Sequence, residues 1–448
     1  MIERRFRLNY LCCEPKPVTA MRTLLIHFAF LFAIGAAVQA QNVIHTSGKY
    51  ILGPCNDTLE LRGVNYAPYN WGYTLSDLKM DQVAQSGANA VRIPWYQNNP
   101  NAPVYVNYVA LDSAISKCIQ HDIIPILELH DFTCGNNSTS LIAGTAWWTS
   151  SNVLPILQKY KHSLIVNIAN EALQVNWASN PTAALASYKS TYETIITNLR
   201  NTSGFDFPLM IDAPDCGTNS DAFITSGTAA GLISFDPKHN IIFSAHAYWY
   251  GYANNDSLQM AGKLNNILAA NIPFVLGEIA NQQDDASMCQ YNLNYKPLLN
   301  YCKAKNVNWL AWVWDHDTCP NRQISSTGNF ANLTAYGNDL INHPNYGLHT
   351  HPAAKSRYLT QGCSLPTGFS SQAHTPVNAF LFPNPTSNSF EIVSDQTILS
   401  VKAFDLLGNE VKLETRNNKH VVIEAVKGIY LITVVADNST KTIKLILN

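Results

Sequence analysis

The sequence predicts an α/β chain: a (β/α)8 barrel followed by a small all-β sandwich. Three observations carry that reading. Eight short apolar runs, rich in β-branched and aromatic residues, follow one another between about residues 58 and 317. Plausible helices separate most of them. Beyond residue 377 the pattern changes to short alternating runs punctuated by turn residues.

The eight runs are Leu59–Tyr66, Ala90–Trp95, Ile123–His130, Leu164–Glu171, Phe207–Asp212, Ile241–Trp249, Pro273–Ile279 and Asn308–Asp315. The clearest helices are Leu75–Ser86, Val109–Gln120, Ala183–Arg200, Leu258–Ala270 and Tyr291–Lys305. Strands that alternate with helices imply a parallel sheet. Eight such units in succession imply a closed barrel. A doubly wound open sheet would normally show a Gly-rich phosphate turn after its first strand, and none is present. In the C-terminal part, Ser389–Val393, Leu399–Asp405, Val421–Glu424, Gly428–Val435 and Lys441–Leu447 read as strands. Asn384-Pro385, Gly408-Asn409 and Asp437-Asn438 read as turns between them. This is the pattern of a small sandwich.

Composition narrows the function. Charged residues make up 13% of the 448-residue chain and net charge is -2. No basic run could hold a nucleic acid. Near-neutrality with 10% aromatics suits a neutral polymer. Met21-Arg22, the apolar segment Leu24–Val38 and the small residue Ala40 read as an export signal over 21–40, with residues 1–20 an over-called start. No other stretch is long enough to span a membrane. Residues 41–360 are then the barrel, 361–376 a Ser/Thr/Pro-rich linker and 377–448 the sandwich. Eight cysteines follow the signal, and export makes disulfides plausible. Their pairing is open, with on the order of 100 possibilities.

In a barrel, active-site groups belong at the C-terminal ends of strands. Polar residues fall there. Arg92 is read as ending the second run, His130 and Asp131 the third, and Asn170 and Glu171 the fourth. His246 and Tyr248 end the sixth, Glu278 the seventh, Trp312 and Trp314 the eighth. A carboxylate rarely ends a buried apolar strand without a partner or a task. Either glutamate alone is equally readable as a salt-bridged residue. The pair, on strands that face each other across the mouth, suggests cleavage of a glycosidic bond. Retaining glycosidases use two carboxyl groups about 5–5.5 Å apart.

The helpers have separate tasks. Arg92 can keep one carboxylate ionised. Asn170 can bond the sugar 2-hydroxyl, and Tyr248 can orient the nucleophile. His130 and His246 fit substrate binding or simple structural pairing. Trp312 can floor the subsite where the bond breaks. Glu128 shares strand parity with His130 and reads as a structural partner of Arg92 or a histidine. Trp71, Trp147, Trp148, Trp177 and Trp249 can line a cleft, or each can be packing. Residues 361–448 have no Trp, one Tyr and five Phe, unlike a sugar-binding module. The chemistry calls for no cofactor and no metal.

The ordered set Arg92, His130, Asn170-Glu171, His246-Ala247-Tyr248, Glu278 and Trp312 resembles clan A glycoside hydrolases, specifically family 5. The resemblance covers about residues 42–350. It implies Glu171 as acid/base, Glu278 as nucleophile, and retention of configuration. Leu61–Asn65, Leu127–Asp131, Ile165–Glu171 and Trp309–Trp314 resemble the bacterial endo-β-1,4-mannanases of that family. Asn65-Tyr66, Gly277-Glu278-Ile279-Ala280 and Asp315–Cys319 depart from them, so mannan versus glucan stays open. Phe382-Pro383-Asn384-Pro385, Ala403–Gly408 and Gly428–Leu431 resemble the type A sorting domain of the Bacteroidetes type IX secretion system. That implies passage across both membranes, to the medium or the cell surface, by way of that machinery. The expectation is a secreted retaining endo-glycosidase acting on mannan or, alternatively, an endo-β-1,4-glucanase. A non-catalytic polysaccharide-binding surface protein is the alternative of another class.

Overall fold

A computed structural model describes residues 43–68, 78–97, 108–248, 252–283, 288–363, 379–394, 397–405, 410–417, 419–436 and 439–448. The export segment, most of the linker, Trp71 and Trp249 lie outside these residues. The chain forms two compact units that divide between Cys363 and Ser364.

The first unit is a closed parallel barrel of eight strands. They are β1 (Arg62–Asn65), β2 (Ala90–Trp95), β3 (Ile124–Leu129), β4 (Ile165–Asn167), β5 (Leu209–Asp212), β6 (Ile241–His246), β7 (Phe274–Ile279) and β8 (Asn308–Ala311). Every residue of these strands is buried, because a parallel barrel has helices on its outer face and side chains within. That is why the runs read as continuous apolar stretches. The expected helices appear at Tyr108–Gln120, Pro181–Arg200, Ser257–Ala269 and Tyr295–Lys305, and Met80–Ala84 stands within the first expected one. The Pro181 helix starts where Pro fixes the first turn and the Asn180 side chain accepts from the Ala183 N–H. Asp256 caps the Ser257 helix in the same way, through the Leu258 and Gln259 N–H groups.

The barrel interior has two levels. The lower level is apolar: Ile124, Ile126, Ile165, Met210, Ile242, Val275 and Leu310 form one cluster with Ile44, Ile51, Leu59 and Leu61. The last four belong to the segment before β1, whose antiparallel hairpin pairs His45–Ser47 with Tyr50–Leu52. That segment floors the barrel. The upper level is polar and carries Arg92, Glu128, Asn167, Asp212 and His246, all fully buried. Arg92 is therefore mid-strand, three residues before the end of β2, and not at the strand end as expected. It reaches up from inside the barrel.

Disulfides join Cys55 to Cys363, Cys134 to Cys216 and Cys289 to Cys319, while Cys118 and Cys302 are buried free thiols. Trp148 is fully buried with its indole N–H on the Ile168 carbonyl, so it is core and not cleft. Trp147 packs against that core, and Trp177 is 53% exposed.

Among the described residues the second unit has eight strands: β9 (Ala379–Phe382), β10 (Ser389–Ser394), β11 (Ile398–Phe404), β12 (Glu410–Val411), β13 (Leu413–Arg416), β14 (His420–Ile423), β15 (Gly428–Ala436) and β16 (Ser439–Leu447). They form two four-stranded antiparallel sheets, ordered β9-β10-β14-β13 and β12-β11-β15-β16. Alternate residues such as Phe390, Ile392, Val421, Ile432 and Val434 fill the space between them. Tyr430 is buried, but Phe380 and Phe382 point outward from the edge strand β9.

Candidate active site

Both glutamates reach the barrel mouth through a departure from regular strand geometry. In β7, Phe274 and Leu276 face the outer core and Val275 faces inward. Strict alternation would send Glu278 outward. The register with β6 shifts, so that Ala245 pairs with Leu276 but His246 pairs with Glu278. One extra residue, Gly277, is accommodated and Glu278 turns inward. The glycine is required by space: a Cβ there would run into the Ser244 hydroxyl and stand 3.1 Å from His246 Nε2. At β4, Ile168 and Ala169 both join the outer core, so alternation lapses beyond Asn167. Glu171 then takes a left-handed φ of 48°, unusual for a residue with a side chain.

The result is a compact cluster. A carboxyl oxygen of Glu171, one of Glu278 and a ring nitrogen of His246 all lie within 4.8 Å of one another. Arg92 ties the polar level together. Its Nη1 donates to Glu278 Oε1 at 2.6 Å and to Asn65 Oδ1 at 3.0 Å. Its Nη2 donates to Asn170 Oδ1 at 2.6 Å and Asp212 Oδ2 at 3.2 Å, and Nε to Asn167 Oδ1 at 2.8 Å. Glu128 Oε2 stands 3.6 Å from Arg92 Nη1 and 2.9 Å from His130 Nδ1, pairing with both residues. His246 Nδ1 sits 2.7 Å from Glu171 Oε1 and 3.5 Å from Glu278 Oε1. The Glu171 N–H donates to Asp212 Oδ2 at 3.2 Å.

One buried guanidinium thus serves four carboxyl groups: Glu278, Asp212, Glu128 and, through space, Glu171. They cannot all ionise cheaply. Burial pushes Glu171 well above the ordinary carboxyl range, and the neighbouring charges of Glu278 and Asp212 push it further. Burial also raises Glu278, to about 7, while Arg92 pulls it down. Because Arg92 touches Glu278 and not Glu171, the shared proton resides on Glu171 first. Burial likewise raises Asp212 against the pull of Arg92. The imidazole of His246 falls well below its usual value through burial and the nearby Arg92 and His130, so it is neutral. Burial beside Glu278 raises the Tyr248 phenol and keeps it protonated. Its hydroxyl interacts with the Glu278 carboxylate and favours the ionised form of that group.

The other expected residues also assemble here. Asn170 uses Nδ2 to donate to Thr133 Oγ1 at 2.9 Å, leaving a second N–H. Trp312 lies nearly parallel to His130, with ring centres 6.0 Å apart and planes 14° apart. Its Nε1 donates to Asp317 Oδ2 at 2.6 Å, which fixes the indole. Asp212 and Asn167 were not singled out from sequence, and Asn65 was noted only in the Asn65-Tyr66 departure, with no role given. Asp212 ends the fifth run, so its position was the available signal. Asn167 and Asn65 stand inside longer apolar runs, where nothing local marks them.

Comparisons with known proteins bear on the family. Residues 53–318, more than half of the chain, match Cellulase (glycosyl hydrolase family 5). Residues 380–448 match a secretion system C-terminal sorting domain. That tail directs the protein through the type IX route of Bacteroidetes, to the medium or the cell surface. The chain is 28% identical over 334 residues to a mannan endo-1,4-beta-mannosidase of Cellvibrio japonicus, covering 72% of each. It is 25% identical over 312 residues to one of Streptomyces lividans, covering 68% of this chain and 76% of that protein. The crystal structure of a beta-mannanase from Streptomyces thermolilacinus superposes with a TM-score of 0.61 at 21% identity, covering 71% of this chain and 99% of that one. At that identity the likeness speaks to the fold alone. Strand order, inward-facing glutamates and the long family match lead to one conclusion: the chain belongs to glycosyl hydrolase family 5 and hydrolyses O-glycosyl bonds.

Proposed function

We propose that the protein is a retaining endo-β-1,4-mannanase, with Glu171 as acid/base and Glu278 as nucleophile. The single observation that carries the mechanism is the approach of the two carboxyl groups to within 4.8 Å. Inverting enzymes hold theirs about 6.5–9.5 Å apart to admit a water, and retaining ones about 5–5.5 Å. In the first step Glu171 gives its proton to the glycosidic oxygen as that bond breaks. A Glu278 oxygen attacks the anomeric carbon and forms a glycosyl ester. In the second step Glu171, now ionised, takes a proton from water, whose oxygen displaces Glu278. Arg92 and the Tyr248 hydroxyl favour the ionised form of Glu278 as it leaves. Neutral His246 holds Glu171 between these states without competing for its proton. The spare Asn170 N–H suits the sugar 2-hydroxyl, and the pinned face of Trp312 suits the sugar ring at the breaking bond.

Mannan is favoured because both curated relatives above are named mannan endo-1,4-beta-mannosidases. The second reading, an endo-β-1,4-glucanase, is favoured by the cellulase description of the family match. Reducing-sugar release from galactomannan, glucomannan and carboxymethylcellulose, run side by side, separates the two. Galactomannan should be cut fastest. Release from carboxymethylcellulose alone would refute mannan as the substrate. In this reading residues 41–360 form the catalytic domain, 361–376 the linker and 377–448 the sorting domain, after a signal at 21–40.

A further inference from the structure

The disulfide between Cys134 and Cys216 has no part in the chemistry above, yet it lies against Glu171. Cys134 Sγ stands 3.4 Å from Glu171 Oε2. Bonded to Cys216, that sulfur carries no proton, so the contact is packing and not a hydrogen bond. The other carboxyl oxygen, Oε1, faces His246 Nδ1 at 2.7 Å. The Glu171 carboxyl is therefore held between an imidazole and a disulfide.

The bridge also has a meaningful place in the topology. Cys134 follows β3 and Cys216 follows β5, and Glu171 follows β4 between them. The covalent link thus crosses over the end of the central strand of the three. Backbone hydrogen bonds beside each cysteine attach to the same residue, two positions past the glutamate. The Leu173 N–H donates to the Gly135 carbonyl at 2.7 Å, and the Asp215 N–H to the Leu173 carbonyl at 2.9 Å. The Asp215 carboxylate in turn accepts from the backbone N–H of Val175 at 2.8 Å and of Asn176 at 2.9 Å. Cys134, Glu171, Leu173, Asp215 and Cys216 all adopt left-handed φ values, between 51° and 73° for the four besides Glu171. Five strained residues from three segments meet at one point. Such conformations persist only where the surroundings over-determine them.

We infer that the Cys134–Cys216 disulfide is a positioning element for the acid/base: it straps the β3 and β5 loops over the end of β4 and walls one oxygen of Glu171. This rests on the acid/base reading of Glu171. An apolar sulfur wall excludes water from Oε2 and gives no stabilisation to the ionised form, which agrees with the raised proton affinity of that carboxyl. Opening the bridge frees the carboxyl to rotate and hydrate, so proton delivery suffers before binding does.

The test uses two oligosaccharide-type substrates on the full chain. Mannohexaose needs its leaving alcohol protonated. 2,4-Dinitrophenyl β-mannobioside has a leaving phenolate that departs without a proton. In both cases kcat/KM reports the first bond cleavage. If the enzyme cuts glucan, cellohexaose and the cellobioside replace them. In C134A/C216A, kcat/KM on the hexasaccharide should fall at least about tenfold, part of the 10²–10⁴ that a general acid supplies. On the aryl glycoside it should stay within about threefold, since no acid is needed there. Equal loss on both substrates, or no loss on either, overturns the proposal. If the alanine pair does not fold, C134G/C216G, which suits the left-handed backbone at both positions, carries the same test. The Glu171→Gln variant runs alongside. Should it lose both substrates alike, the acid/base reading fails, and that outcome is distinct from failure of the strap.

Discussion

Gly277 is where the barrel's geometry and its chemistry meet, and Gly277→Ala tests the link. The added methyl group would collide with the Ser244 hydroxyl and stand 3.1 Å from His246 Nε2, in a fully buried strand. Neither neighbour can withdraw freely, because His246 is held at 2.7 Å by Glu171 and lies inside the barrel. The bulge that turns Glu278 inward must shift instead. Overpacking of this kind costs about 1–3 kcal/mol of stability. For a domain of this size that lowers Tm by only a few degrees. A displacement of about 1 Å at the reacting carboxylate costs about 100-fold in rate. We therefore expect kcat/KM on polysaccharide to fall by about two orders of magnitude in a protein that still melts cooperatively. Ser244→Ala removes the worst of the collision, so the Ser244→Ala/Gly277→Ala pair should regain part of the loss, a non-additive cycle. Wild-type activity in Gly277→Ala would refute the argument that the bulge aims Glu278. So would a loss that Ser244→Ala leaves untouched.

Glu278→Gln should lower kcat by at least about 10³-fold while the fold survives, because Asp212 and Glu128 still neutralise Arg92; near wild-type turnover would remove Glu278 from the nucleophile role. The pH profile of kcat/KM should be bell-shaped. Activity rises as Glu278 ionises, near the value of about 7 to which burial raises it, and falls at higher pH as Glu171 loses its proton. Stability should run the other way. Folding raises both carboxyls above the ordinary 4.5, so the folded state keeps protons that the unfolded chain has released. Stability from this pair is present below that value and declines as pH rises through the folded values. Thermal melts between pH 4 and 8 should show the decline, flatter in Glu278→Gln. Finally, C55A/C363A opens a bridge spanning 308 residues and should cost about 2–5 kcal/mol of stability while kcat at 25 °C stays unchanged. A fall in kcat comparable with that of C134A/C216A would mean that any lost disulfide disturbs the site.

The strands and their order were legible because burial on both faces makes each a continuous apolar run, and the polar interruptions marked the mouth. Glu171 and Glu278 stood out for that reason. What steers them inward was not legible. A bulge depends on the register between β6 and β7, which no local pattern encodes, and a left-handed Glu171 follows from three segments meeting. Glu128 was readable through strand parity with His130, and it does pair with both His130 and Arg92. Asp212 was visible as the end of the fifth run but carried no second signal. The pairing of Cys134 with Cys216 needs the loops in space. Arg92 was expected at a strand end although its own run, Ala90–Trp95, continues three residues past it; the structure keeps that run as β2, so the mid-strand position was readable from the run itself.

The apolar floor beneath Arg92 makes the barrel mouth the door of the site. Among the described residues, Ile124, Ile126, Ile165, Met210, Ile242, Val275 and Leu310 form an apolar layer below the polar level, with Ile44 and Ile51 packed beneath it. That layer offers Glu171 no proton donor of its own. The proton that Glu171 surrenders comes back from the same mouth that admits the polymer, carried by the water that ends the cycle. Proton traffic and sugar traffic therefore share one route, and a chain lying over the cleft controls both.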